Sequence, residues 1–73
     1  MNTLDARGLQ CPLPVLRANK VVRGLAPGEE LRVLATDRAA PKDFETYCRT
    51  AGHHLIFSSE VDGVFTIVIR KGG

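Results

Sequence analysis

Seventy-three residues suffice for one domain, in a size range where a single hydrophobic core is only just large enough. The chain is 44% hydrophobic and 25% charged, as in ordinary globular proteins, and its formal net charge of +2 is too small by itself to imply nucleic acid. Two cysteines are too few for a disulfide scaffold and match no zinc spacing. No run approaches membrane-spanning length, and Met1 to Arg7 holds no apolar signal segment, so a reducing, cytoplasmic setting with no membrane contact is expected.

Thr3 to Arg7 reads as a short strand ending at Gly8. From Pro12 to about Leu25, Val15, Ala18, Val22 and Leu25 recur at helical spacing, widened by Leu16 and Val21. Arg17, Asn19, Lys20 and Arg23 take the opposite side. Ala26-Pro27-Gly28 stops this helix. Glu30 to Thr36 follows as a strand, closed by Asp37 and a turn through Arg38-Ala39-Ala40. Pro41 suits the first turn of a second helix with its body over Lys42 to Thr50, where Phe44, Tyr47, Cys48 and Ala51 make one apolar face and Gly52 a terminator. His54 to Val61 reads as a third strand, with Leu55 and Phe57 on one side. Asp62-Gly63 is a hairpin turn, and Val64 to Arg70 is the fourth strand, with Phe65, Ile67 and Ile69 on one face.

Helical crossovers favour parallel pairing of the first three strands, and the Asp62-Gly63 hairpin sets the fourth antiparallel to the third. Each helix has one apolar stripe, so the expected fold is a two-layer α/β (α+β) sandwich. Its order is βαβαββ, with a mixed four-stranded sheet and both helices on one face, in a single domain over residues 1–73. The strand order stays open at this point.

Cys11-Pro12-Leu13-Pro14 stands where the first helix begins. Two prolines within three residues are tolerated there because the first-turn N–H groups lack helical partners. Cys11 therefore falls at or beside the N-cap, on stiffened backbone facing the positive end of the helix dipole. A free thiol is only about 3% thiolate at pH 7, and a helix N-terminus is one recognised way to raise that fraction. Pro12 and Pro14 remove two donors from the same turn, so the expectation is a mildly activated, rigidly presented thiol. With no second cysteine within two residues, dithiol redox chemistry is disfavoured, and nothing local supplies a base for acylation; His53 and His54 approach only through the fold. A lone accessible thiol suits carriage of sulfane sulfur as a persulfide.

The run Leu4-Asp5-Ala6-Arg7-Gly8-Leu9-Gln10-Cys11-Pro12-Leu13-Pro14 resembles the signature of the TusA (SirA-like) sulfur-carrier family. Pro27-Gly28-Glu29, Thr36-Asp37, Cys48, Gly52-His53 and Arg70-Lys71-Gly72-Gly73 also sit where that family places similar residues. The resemblance implies a βαβαββ fold and a persulfide on Cys11, with Pro12 and Pro14 framing it and Asp5, Arg7 and Gly8 leading up to it. It implies a cysteine desulfurase or rhodanese-like donor, a downstream sulfur-accepting protein, no cofactor and no direct nucleic-acid contact. The destinations it suggests are 2-thiolation of tRNA or dissimilatory sulfur trafficking.

Other residues admit plainer readings. Cys48 lies in an apolar stripe and reads as core. Arg7, Arg17 and Lys20 either favour the thiolate and dock a partner or are simply solvated, and Asp5 and Asp37 are either turn residues or part of a docking surface. Gly72-Gly73 matches the end of ubiquitin-like thiocarboxylate carriers, but those begin with a hairpin; a frayed tail is the simpler expectation. An RNA-binding or regulatory module and a peroxide-sensing thiol are the alternatives.

Overall fold

Phe65, Ile67 and Ile69 alternate with Val64, Thr66 and Val68, and this strand is apolar enough on both sides to be enclosed. It takes an interior place in the sheet. The structure, a computed structural model describing residues 2–73, contains β1 (Asn2–Ala6), α1 (Leu13–Val22), β2 (Glu30–Ala35), α2 (Ala40–Ala51), β3 (His54–Val61) and β4 (Val64–Arg70). Sheet order is β1-β2-β4-β3. β1 pairs parallel with β2, while β4 runs antiparallel to both β2 and β3. The expected βαβαββ sandwich and its antiparallel hairpin are thus present. The pairing of the first three strands needs correction: β3 runs in the direction of β1 and β2 but does not pair with β2, because β4 lies between them. β3 carries Ser58-Ser59-Glu60 and tolerates the solvated edge, whereas the apolar β4 does not.

Both helices cover one face. Pro14, Ala18 and Val22 are the buried positions of α1, and Ala40, Phe44 and Cys48 those of α2, each set four residues apart. They pack onto Leu31, Val33 and Ala35 of β2 and Phe65, Ile67 and Ile69 of β4. The apolar stripes are narrower than their sequence suggests, since Leu16 is 56% exposed and Ala51 is also exposed. α1 ends at Val22 rather than near Leu25: Gly24 and Leu25 donate three residues back, to Val21 and Val22, and tighten the chain out of the helix. Gly52 closes α2 with φ 80°, and the hairpin turn has φ 51° at Asp62 and 80° at Gly63, both in the left-handed region. In β3 a bulge falls between Leu55 and Phe57, which pair with Ile69 and Val68. Ile69 and Val68 face opposite sides, so Leu55 and Phe57 do too, contrary to simple alternation.

The C-terminal segment is fastened, not frayed. The Lys71 amide donates to Glu29 O, and Lys71 O accepts from Gly28 N, both at 2.9 Å. Lys71 Nζ donates to the Leu25 carbonyl at 2.6 Å, near the negative end of α1. Gly72 N donates to His53 Nδ1 at 3.0 Å, and the His53 ring packs beside Tyr47. A Cβ on Gly72 would stand 1.8 Å from the Gly52 carbonyl oxygen, so only glycine fits. Nδ1 accepts only when unprotonated, and burial followed by the charges of Lys71 and His54 holds the His53 pKa below 6.5. The contact's contribution to stability is therefore complete above 6.5 and lost as pH falls through the lowered value. Hydrogen exchange at the Gly72 amide is expected to lose protection selectively as pH drops below 6.5, relative to interior β4 amides; equal protection at pH 7.5 and 5 would contradict this.

Candidate functional site

The segment leaving β1 is shaped by a few specific bonds. Gly8 has φ 82°, a conformation that disfavours a side chain, and its N–H donates to Thr36 Oγ1 at 2.9 Å. Arg7 forks onto Asp5 at 2.8 and 2.9 Å, and its amide also donates to Asp5 Oδ1. The Arg7 side-chain hydrogen bond, with the Arg7 backbone contact and charge, draws the Asp5 pKa down from 3.8 to about 2. The pair is fully exposed, so its role is to shape the loop rather than to stabilise the fold. Pro12 occupies the N-cap and Pro14 the second helical position, and Pro14 is buried against the core. Cys11 lies one residue before the cap; the peptide bond joining it to Pro12 is cis.

Asp37 ties this loop to the second helix. The Cys11 N–H donates to Asp37 Oδ2, while Asp37 Oδ1 accepts from Ala39 N at 3.2 Å and the Asp37 carbonyl from Ala40 N at 3.0 Å. One side chain thus makes the expected Asx-type turn at the start of α2 and, beyond that expectation, clasps Cys11 from 26 residues away.

Cys11 is exposed at the mouth of a groove between the helices. The groove holds about 550 Å³ and is walled chiefly by Pro12, Val15 and Leu16 of the α1 side and Asp43, Tyr47 and Ala51 of α2. Tyr47 closes its floor by donating to Asn19 Oδ1 at 3.0 Å. Asn19 was expected on the solvated side of α1 but is half-buried, because a tyrosine hydroxyl between helices needs a partner.

The charge around Cys11 differs from the expectation. The pKa of the thiol lies above its usual 9.0: the hydrogen bond to the Asp43 carboxylate is the main cause, followed by desolvation and the charges of Asp43 and Asp37. Helix-dipole activation is not seen. Pro12 and Pro14 lack N–H groups, and the Leu13 N–H is already given to Gln10 O at 2.8 Å. Cys48 is buried as expected, and desolvation pushes its thiol up to about 11.

Of the residues singled out in the sequence, Asp5, Arg7, Gly8, Pro12, Pro14 and Asp37 together build the Cys11 loop. Arg17 and Lys20 do not line the groove; they line a smaller depression with Leu13 and Leu16, and Leu16 is shared by the two. Asp43, Asn19 and Tyr47 were missed. Asp43 had no distinguishing signal, since an acid in the first turn of a helix is commonplace. Among the described residues there is no cluster of three metal-ligating side chains.

A small helix-covered sheet holding an exposed cysteine at a groove between the helices is the class of protein that fold and site define. Residues 2–71 match the family model described as Sulfurtransferase TusA. The chain is 56% identical over 68 residues to a candidate sulfur carrier protein of Neisseria meningitidis serogroup A, covering 93% of this chain and 92% of the relative. It is 44% identical over 68 residues to the sulfur carrier protein TusA of Allochromatium vinosum, covering 93% and 90%. The crystal structure of a SirA-like protein from Desulfitobacterium hafniense superimposes with a TM-score of 0.87 at 28% identity, over 100% of both chains. The chain belongs to the TusA family of sulfurtransferases and sulfur carriers.

Proposed function

We propose that this protein carries sulfane sulfur as a persulfide on Cys11, between a donor enzyme and an acceptor protein in the cytoplasm. The observation that carries this reading is the placement of Cys11, exposed and lining the groove on a loop clasped by Asp37, while the other cysteine is buried. The attacking species is the Cys11 thiolate. It bonds to the outer sulfur of the donor persulfide, the donor's S–S bond breaks, and the electron pair leaves on the donor thiolate. Delivery repeats the exchange with an acceptor thiolate, and Cys11 becomes the leaving group. No metal or organic cofactor enters either step. Pro12, Pro14, Asp5, Arg7 and Gly8 position the loop, and Arg17 and Lys20 are candidates for partner docking. The donor class is a cysteine desulfurase or rhodanese-like protein, and the outlet is tRNA 2-thiolation or dissimilatory sulfur trafficking.

The test is incubation with a cysteine desulfurase and cysteine, followed by intact mass measurement. One added sulfur, removed by reductant and mapped to the Cys11 peptide, is the expected result. Sulfur that persists without Cys11 but vanishes when Gly72-Gly73 is deleted would replace this reading with thiocarboxylate chemistry. The His53 contact that holds Gly72 against the domain favours the cysteine.

A further inference from the structure

The groove that Cys11 lines holds one acidic side chain, Asp43, and no lysine or arginine among the described residues. The Cys11 amide is held by Asp37, and Asp43 lines the same groove as the Cys11 thiol, where the two carboxylates hold the thiol pKa up. The ion pairs among the described residues are Arg7–Asp5 and Arg70–Glu30, so neither Asp37 nor Asp43 has a basic partner. Arg7, the basic residue nearest in the loop, is spent on Asp5, and Arg17 and Lys20 of α1 line the other depression. A positively charged protein thus has an acidic rim at its reacting sulfur: Arg38 and Lys42 neighbour Asp37 and Asp43 in the chain, but neither lines the groove or forms an ion pair with them. The carrier reading offers no use for that rim.

We propose that Asp43 selects the sulfur partner: Cys11 exchanges sulfur with a protein segment whose reacting cysteine is flanked by a basic side chain, which meets Asp43 as the two sulfurs approach. This rests on the carrier reading and adds the chemistry of the partner. Unaccompanied, the negative charge of Asp43 disfavours the thiolate and keeps Cys11 neutral, which shields an exposed sulfur from oxidants. An arginine or lysine beside Asp43 draws the carboxylate into an ion pair and supplies the positive charge a thiolate needs. An acidic partner would bring a further negative charge to a site that already has two. The reaction balances as Cys11–SH plus R–S–SH giving Cys11–S–SH plus R–SH: the bond from the Cys11 sulfur to the outer sulfur forms, the donor's S–S bond breaks with its electron pair leaving on R–S⁻, and the proton released by Cys11 ends on R–S⁻. Sulfane sulfur moves with no net oxidation.

The experiment uses two short peptides of equal length, each with one persulfidated cysteine, flanked by arginine in one and by glutamate in the other. Sulfur transfer to the full chain is followed by quenched intact mass at low ionic strength. Wild type is expected to take sulfur from the arginine peptide about tenfold faster, with the ratio shrinking as salt screens the contact. In Asp43→Asn the ratio is expected to fall to about threefold or less, since most of the discriminating charge is gone. Cationic trimethylammonium and anionic sulfonate methanethiosulfonates, mapped at Cys11, give the same comparison without sulfur transfer. With uncharged iodoacetamide, Asp43→Asn should shift the pH profile of Cys11 alkylation downwards. Equal rates for both peptides, a preference that survives Asp43→Asn, or an unmoved alkylation profile would overturn the proposal. If neither peptide loads Cys11, the carrier reading is what fails, and the methanethiosulfonate ratio still decides the charge selection.

Discussion

Cys11→Ser is expected to abolish sulfur loading while leaving the fold intact. A hydroxyl cannot form the S–S bond that stores the cargo. Nor does it ionise near neutral pH, so neither receipt nor delivery survives. The substitution is structurally mild. The Asp37 clasp uses the Cys11 backbone N–H, which serine retains, and a serine hydroxyl can donate to Asp43 in place of the thiol. At an exposed position with its contacts preserved, the stability change should stay within about 0.5 kcal/mol. Residual loading at Cys48 is not expected, because that residue is 3% exposed and burial pushes its thiol up to about 11. Intact mass after desulfurase treatment, set beside a thermal melt of the same sample, separates chemical loss from unfolding. Undiminished sulfur uptake by a folded Cys11→Ser protein would remove Cys11 from the mechanism.

Local patterns account for what was legible beforehand. Asp62-Gly63 predicts a tight hairpin because its two residues tolerate positive φ, and both adopt it. The four-residue spacing of Ala18 with Val22 and of Phe44 with Cys48 predicts two helices covering one sheet face. The exposed placement of Cys11 was legible because two prolines follow it where a helix starts. What escaped was relational. Strand order depends on which strand bears burial on both faces, a comparison between β3 and β4 that neither makes alone. The bulge after Leu55 carries no glycine or proline to mark it. The Asp37 clasp and the His53–Gly72 bond join residues 26 and 19 positions apart. The sign of the field at Cys11 was misread for the same reason. The helix dipole is a property of the local turn, whereas Asp43 arrives from the other helix. A local argument predicts activation; the assembled groove opposes it.

Phe44→Ala is expected to have the largest effect on stability of any single core truncation. The ring is fully buried at 0% exposure, among the largest enclosed side chains, and meets Tyr47 edge-on with centroids 6.4 Å apart. Removing a buried phenylalanine side chain costs about 3–5 kcal/mol, the transfer free energy of the ring plus the cavity it leaves. At roughly 0.05–0.15 kcal/mol per residue, a chain of 73 residues has about 4–11 kcal/mol in total. The loss is therefore a large share of the whole. Its consequence reaches the site, because Phe44 follows Asp43 and anchors the first turns of α2, which form one wall of the groove. Urea denaturation should show a lower midpoint with an unchanged slope, and the folded fraction should lose the charge discrimination assigned to Asp43. Phe57 supplies the control: 52% exposed on the edge strand, it should lose about 1 kcal/mol or less on the same substitution. A loss below about 2 kcal/mol for Phe44→Ala would mean that the helices close over the cavity. The groove would then be maintained by the Tyr47–Asn19 hydrogen bond and the Asp37 clasp rather than by core packing.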